Sequence, residues 1–540
     1  MKISHVIECS LLSLLLCVAC VPDLSTTGEH FEQQNENTYD PAYLKNVMDE
    51  QQQKIMNLFY TGAEPNSGMA YNDPSHKSVL TTGATGFGIM TLITGVERGW
   101  ITREAAAQQI VKIVRFLKKA DRFEGAWAHW YNVKGEIVPF GNQVQAGEIV
   151  ETTFMMEGLL TACEYFTADN EAEKEIRETT AEFWNTINWK HYVHNGKFYW
   201  MWHKDSDTYE LPLVGWNETL LAYILAMAAP AEHAVPVSVY KNCWQANGKF
   251  AHPGRKFYDY PLPLGSDYGA ALFLAHYSFF GLDPRKMEDE YCFYWQQNQN
   301  HTMINRHYCV YDAPEEYAYN ADNWGLTACA GCGSHDGYLS HDPQHDNGVL
   351  SPAAALGSFP YTPFYATQVL LNLKNKYPGM NGKYGFYASW CPSEKATAKM
   401  YYAMEHAPMA IMLENYRSGL LWSLLMKNEH VQQGLQLAGI HEPIGHYGFY
   451  LAAVNTKTNV CDLMRNPDNG MYEVDIFLKS GGNASLTLSQ NNAGIYQTAI
   501  EVIPGVNHLT FFDTAIPRAQ QYTLTFVCGD EQYTLPVALH

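Results

Sequence analysis

Three glutamates stand where a carboxylate is costly to keep. Glu148 and Glu151 lie in Gly147-Glu148-Ile149-Val150-Glu151-Thr152, and Glu218 closes Gly215-Trp216-Asn217-Glu218, each at the head of an apolar run. A spacing of three places Glu148 and Glu151 on one helix face, and a helix start stabilises the charged form of a carboxylate. Capping is therefore one account of all three. In the other account, helix starts from distant parts of the chain converge on a substrate. Two converging carboxyl groups suffice for glycoside hydrolysis, one protonating the leaving oxygen while the other activates water or attacks the sugar.

Aromatic and polar residues interleave in Gly125-Ala126-Trp127-Ala128-His129-Trp130, in Trp200-Met201-Trp202-His203 and in Asn323-Trp324-Gly325. Trp127, His129, Trp130 and Trp324 are thus candidates for stacking on sugar faces and bonding hydroxyls, although large tryptophans also fill cores. The segment 329–336, Cys-Ala-Gly-Cys-Gly-Ser-His-Asp, followed by His341 and His345, has no second paired-ligand motif at zinc spacing and no thioredoxin-like context. It is read as a loop bordering a cleft, and no metal is expected. The glycines of Gly83-Ala84-Thr85-Gly86-Phe87-Gly88 match neither a P-loop nor a dinucleotide fingerprint. They suit close helix packing, and no cofactor is implied.

The elements that would position these residues are mostly helices. Between 43 and 440 two kinds alternate. Thr102 to Ala120 is amphipathic, with Ile110, Ile113, Val114 and Leu117 on one stripe and Thr102 as its cap. Thr85 to Val96, Glu151 to Phe166, Glu218 to Ala229 and Glu414 to Met426 are apolar nearly all round, as for helices enclosed by others. Short links between such helices make antiparallel neighbours, so the expected fold is an α/α toroid with the enclosed helices as its inner ring. From 441 to 540 the period becomes two, as in Tyr472, Val474, Ile476 and Leu478, predicting a β-sandwich of about seven strands. Cys461 and Cys528 either bridge its sheets or remain thiols.

Composition narrows the partners. The chain has 540 residues, of which 46% are hydrophobic and 17% charged, a balance that supports large cores and more than one domain. A net charge of -21 leaves no broad basic face for a phosphate backbone, which excludes nucleic acid as the expected partner. Lys2, the apolar run from Leu11 to Ala19 and Cys20 form the pattern of a bacterial lipoprotein signal, too short to span a bilayer. The expectation is export, with a signal over 1–20, lipid on Cys20, a tether over 21–42 and attachment to the periplasmic or outer-membrane envelope through that lipid alone. Twelve cysteines less three in the signal leave nine, so at least one thiol stays free.

Several ordered segments resemble the glycoamylase-like domain family, including the endo-β-1,2-glucanases of glycoside hydrolase family 144. They are Ala84-Thr85-Gly86-Phe87-Gly88, Gly95-Val96-Glu97-Arg98-Gly99-Trp100, His129-Trp130, Ile149-Val150-Glu151-Thr152 with Gly158-Leu159-Leu160, and Gly215-Trp216-Asn217-Glu218. Later come Trp324-Gly325-Leu326-Thr327-Ala328, Pro360-Tyr361-Thr362-Pro363, Tyr384-Gly385-Phe386 and the run 414–422, Glu-Asn-Tyr-Arg-Ser-Gly-Leu-Leu-Trp. The resemblance implies an (α/α)6 barrel, a cleft for a β-linked glucan, and cofactor-free hydrolysis with inversion. It implies that Glu218, then Glu151, are the essential acids, with Glu148 the one acid kept from a richer run before the Glu-Thr pair. Trp127, Trp130, Trp216 and Tyr361 are its substrate-facing candidates. The chain departs from the family where relatives carry Ser-Asp-Gly and it has Cys329-Ala330-Gly331, and again at Tyr387-Ala388-Ser389, where an Asp is expected. Asp336 is the candidate that compensates. The alternative reading is a surface lipoprotein that keeps the hydrolase fold to bind glycans without cleaving them.

Overall fold

The computed structural model describes residues 40–77, 79–140, 145–511, 516 and 521–540. The expected signal, Cys20 and the tether up to residue 39 lie outside the described residues. The last tether positions belong to a helix instead: Asp40 accepts a hydrogen bond from the Tyr43 N–H at 3.0 Å, and Pro41 opens α1 (Pro41–Phe59), where its fixed φ and missing N–H cost nothing.

The helical region continues with α2 (Thr82–Glu97), α3 (Arg103–Leu117), α4 (Ile149–Tyr165), α5 (Glu171–Thr186), α6 (Leu220–Ala228), the single turn α7 (Val237–Val239), α8 (Tyr294–His307), α9 (Pro352–Leu356), α10 (Pro363–Lys376), α11 (Ala403–Ser418), α12 (Leu420–Leu425) and α13 (Glu429–Ala438). As the apolar patterns predict, α2, α4 and α6 are buried on every side, whereas α3, capped by Thr102 at 3.1 Å from the Ala105 N–H, keeps a wet face. The enclosed helices pack on one another, α2 on α4 and α11, and α4 on α6; α1, α5 and α13 back α2, α4 and α6 respectively. The expected helix from Glu414 to Met426 is corrected. Gly419, at φ +66°, takes the left-handed conformation that ends α11, and α12 starts after it. The fully enclosed segment is α11, which begins eleven residues before Glu414.

The closest helix contact is made by glycines. A Cβ on Gly86 of α2 would sit 2.1 Å from the Phe154 carbonyl oxygen, and one on Gly158 of α4 would sit 2.0 Å from the Gly86 carbonyl oxygen. Only two bare backbones fit there.

The C-terminal region forms two sheets over one apolar core. Eight strands are present among the described residues, in line with the expected number of about seven. Six make a mixed sheet that includes Gly482–Gln490, Gln521–Cys528 and Glu531–Leu539, and Tyr472–Leu478 pairs with Gly505–Phe511 in a second. Val474, Ile476, Leu486, Leu524 and Phe526 meet between them. Cys461 and Cys528 remain buried thiols. Polar bonds join this region to the helices: Arg417 and Arg98 both bind Asp468, and Tyr365 donates to Asp462 at 2.5 Å.

Candidate active site

Short strands feed the starts of α2 and α4 and bring their neighbours together. Leu80–Thr81 runs into α2 and pairs with Trp130–Tyr131, while Ala146–Glu148 runs into α4 and pairs with Lys197–His203. The intervening segment is pinned across both helix starts. The Thr82 hydroxyl donates to the Ala128 carbonyl at 2.6 Å, and the Trp127 N–H donates to the Thr152 hydroxyl at 2.9 Å. His129 is thereby held against the acids that open α4.

Its Nδ1 lies 2.9 Å from Glu148 Oε2 and 3.6 Å from Glu151 Oε1. Trp200 donates its indole N–H to the same Glu148 oxygen at 2.9 Å, and the other Glu148 oxygen has no hydrogen-bond partner. The second Glu151 oxygen accepts the Gly83 N–H at 2.7 Å. That N–H belongs to the first turn of α2, whose N-cap residue, Thr81, makes no side-chain cap bond. Glu151 thus caps a neighbouring helix, not its own, and takes its favourable N-terminal field. Burial works against a charged His129, but the negative charges of Glu151 and Glu148 outweigh it and push the imidazole up to about 9. Burial raises Glu151, and His129 opposes that rise. His129 also stacks on Phe140, with ring centres 4.1 Å apart, and Trp130 stands edge-on to both rings.

Glu218 precedes α6 in a tightly fixed turn. Asn217 accepts from the Thr219 N–H and hydroxyl, and Ser278 donates to the Glu218 carbonyl while accepting from the Leu221 N–H. Its carboxyl has no cation beside it, and burial pushes it up to about 7. A fourth acid, Glu405, lies in the first turn of α11. It is 3% exposed, neither carboxyl oxygen has a hydrogen-bond partner, and burial raises it well above the carboxylate range. The Tyr277 phenol ties the group together, because the charges of Glu405, Glu218 and Glu151 all act on it. Acids from the starts of α4, α6 and α11 are therefore all within electrostatic reach of one tyrosine.

This geometry coincides with broad similarity to known proteins. The family model described as "Putative glucoamylase" matches residues 210–429. The exo-β-1,2-glucooligosaccharide sophorohydrolase (non-reducing end) of Parabacteroides distasonis is 36% identical over 420 residues, 73% of this chain; the chain spans 58% of that relative's length. The endo-β-1,2-glucanase from Chitinophaga pinensis, solved with sophorotriose and glucose, is 39% identical with a TM-score of 0.71, over 74% of this chain and 99% of that one. The chain belongs to the glycoamylase-like domain family. A β-1,2-glucanase structure from Parabacteroides distasonis aligns at 34% identity and a TM-score of 0.69, over 73% of this chain and 60% of that one.

Within this glycoamylase-like chain, the structure brings together Glu148, Glu151, His129 and Trp130 as the sequence suggested, and sets Glu218 beside the same tyrosine. Glu148 is corrected in one respect: it ends a strand ahead of α4 and meets Glu151 around His129, not along a shared helix face. Four aromatic candidates are corrected more fully. Trp127 is fully buried, donates to the Leu117 carbonyl and packs edge-on against Phe183. Trp324 is fully buried and donates to the Tyr365 carbonyl. Trp216 is enclosed by Trp244, Phe279 and Tyr294. Tyr361 is buried, donates to the Ala275 carbonyl and lines a cavity of about 170 Å³ at the junction with the sheets, which none of the four acids lines. Each offers its large apolar face to packing, and no face is left for sugar. Asp336 is exposed at the tip of the hairpin joining Ala328–Ala330 to Tyr338–Ser340.

The sequence reading missed Glu405 and Tyr277 as site residues and named Trp200 only within an aromatic run. Glu405 carries the same signal as Glu151, a carboxylate in the first turn of an enclosed helix, and became visible once α11 was seen to start at Ala403. Cys332 forms a disulfide with Cys391 and Cys329 stays a buried thiol, so the Cys-x-x-Cys spacing is not used as a pair. His129, Glu148 and Glu151 each offer a ligand atom within 4.8 Å of the others. His129 pairs with both acids, Trp200 donates to Glu148 and the Gly83 N–H to Glu151, while one Glu148 oxygen stays without a partner.

Proposed function

We propose that this chain hydrolyses a β-linked glucan, with β-1,2-linked glucose chains as its first substrate class. In this reading Glu218 is the general acid, and Glu151, supported by Glu148, is the base that activates water on the opposite face of the sugar and inverts the anomeric carbon. The helices form an (α/α)6 double ring whose inner helix starts line the cleft. The protein acts at a bacterial envelope, anchored by lipid on Cys20.

The observation that carries this reading is the unequal setting of the acids around Tyr277. Glu218, without a cation, keeps a proton near neutral pH, as an acid must. Glu151 lies against His129, whose positive charge opposes the rise that burial imposes on it, and Glu148 lies 2.9 Å from the same ring nitrogen. The activities of the relatives, sophorohydrolase and endo-β-1,2-glucanase, support the β-1,2 linkage. His129 itself holds the base, and Trp130 with Phe140 forms the aromatic wall beside it.

Reducing-sugar release and product sizing on β-1,2-, β-1,3-, β-1,4-, β-1,6- and α-linked glucans test the reading. Cleavage of the β-1,2 chain, lost in folded Glu218→Gln and Glu151→Gln variants, is the expected result. Glycan binding with no cleavage of any polymer replaces the hydrolase with the glycan-binding lipoprotein. Labelled fatty acid incorporated by wild type but not by Cys20→Ser tests the anchor.

A further inference from the structure

Glu405 is not absorbed by the acid and base roles, yet its buried carboxyl has two oxygens without hydrogen-bond partners. Folded proteins seldom leave such a group unmet, and one beside a cleft marks a place for a ligand's polar atom. A residue that reaches it comes from the hairpin joining Ala328–Ala330 to Tyr338–Ser340. Tyr338, 58% exposed, faces the Glu405 carboxyl without closing a well-formed hydrogen bond, and its ring stands edge-on to Tyr402, the N-cap of α11, at 5.9 Å.

That hairpin is fastened at several points to the strands just before α11. Cys332 is bonded to Cys391, the Ser389 hydroxyl donates to the Ala330 carbonyl at 2.5 Å, and the Ser334 N–H donates to Glu394 at 2.8 Å. Ala330 is the register partner of Tyr338. The fastenings therefore fix Tyr338 relative to Ser389–Cys391, and the chain continues from there into α11 and Glu405. A flat, exposed phenol over an unpartnered carboxyl can stack on the CH face of a glucose ring while the carboxyl bonds one of its hydroxyls.

We propose that Tyr338 and Glu405 form a glucose-binding subsite next to the cleavage site, and that the Cys332–Cys391 disulfide holds it in register. The inference rests on the glucan-hydrolase reading and adds to it a binding position built by this chain's own hairpin. Burial raises Glu405 well above the ordinary carboxylate value, which favours the protonated form that can donate to a sugar oxygen.

Kinetics on β-1,2-glucooligosaccharides of increasing length test it. Tyr338→Ala, at an exposed position that does not threaten folding, should raise KM on the order of tenfold for longer chains. It should leave kcat within about threefold and change the shortest cleavable chain little. The Cys332→Ser/Cys391→Ser variant, or mild reduction of the wild type, should shift KM the same way. An unchanged KM in Tyr338→Ala at every length overturns the subsite, as does a loss confined to kcat. Wild type that neither cleaves nor binds any of the oligosaccharides defeats the hydrolase reading first, and the subsite with it.

Discussion

Raising the pH from about 6 to about 8 deprotonates Glu218 and, on the roles assigned above, removes the proton that the leaving oxygen needs. With its carboxyl at about 7, the protonated fraction falls from roughly nine-tenths to roughly one-tenth across that interval. kcat/KM should therefore lose about tenfold for each further pH unit, and its alkaline limb should read the free enzyme's Glu218. At pH 7 an ordinary carboxyl at 4.5 would hold its proton about 0.3% of the time, so burial raises the competent population roughly 150-fold. His129, at about 9, stays charged through the same interval and keeps its hold on Glu148 and Glu151.

The same shift fixes a sign for stability. Glu218 is higher in the folded chain than in the unfolded one, so its contribution is fully present below about 4.5 and is lost as pH rises through about 7. The loss approaches about 3 kcal/mol at alkaline pH. Glu218→Gln removes that loss, and the variant should be inactive at every pH yet more stable than wild type at about pH 8 and nearly equal to it near pH 4. The assays are a pH series of kcat/KM on a β-1,2-glucooligosaccharide and chemical denaturation at both pH values. An alkaline limb near 4.5, or a Gln variant that loses stability at pH 8, refutes the reasoning.

Three further outcomes follow from the packing. Trp127→Ala should cost about 3–5 kcal/mol by chemical denaturation while leaving KM of the folded fraction unchanged, since Trp127 is core and not a sugar platform. Gly86→Ala should destabilise by about 3 kcal/mol, read as a lowered melting temperature, because its Cβ would meet the Phe154 carbonyl at 2.1 Å. Glu157, buried inside α4, accepts the Gly281 N–H through one oxygen and leaves the other unpartnered, and burial raises it well above the carboxylate range. Its contribution is present below the unfolded value and lost as pH rises, so Glu157→Gln should gain stability over wild type with increasing pH in denaturation series.

What could be read from the sequence followed the strength of local pattern. α2, α4 and α6 announce themselves because every side is apolar, and α3 because one side is not. α8 announces nothing. It is buried although it carries Gln297, Asn298, Gln299, Asn300 and Asn305, and periodicity of apolar residues cannot find such a helix. Most of those amide atoms find partners far along the chain: Gln297 bonds Leu264, Gln299 bonds the Tyr361 and Leu451 carbonyls, and Asn305 bonds Leu326 at both its amide atoms. Their burial is a tertiary fact with no local trace. The tryptophans erred in the opposite direction, because residue type alone does not tell a sugar platform from core filler; Trp130 and Trp127 are three residues apart, and only the first borders the acids. The pairing of Cys332 with Cys391 had no local trace either, as the two lie 59 residues apart.

The glycines of α2 and the acid of α4 prove to be one device. Gly86 and Gly158 let the two helix backbones approach until side chains are excluded, and that approach brings the start of α2 within reach of the first turn of α4. Glu151 can then accept the Gly83 N–H at 2.7 Å, a bond that a wider spacing would forbid. A Cβ at Gly83 would stand 2.7 Å from that same carboxylate oxygen, so the position tolerates no side chain while the bond exists. Packing, capping and the proposed catalytic role of Glu151 consequently make separable demands on the same pair of helices. A substitution at Gly83 should disturb Glu151 and its neighbour His129 with little loss of core volume, whereas one at Gly86 should loosen the core first. Gly83→Ala measured against Gly86→Ala, by kcat at permissive temperature and by melting temperature, separates the two demands. Equal ranking of the two variants in both assays would mean that Glu151 does not depend on the α2 start for its placement.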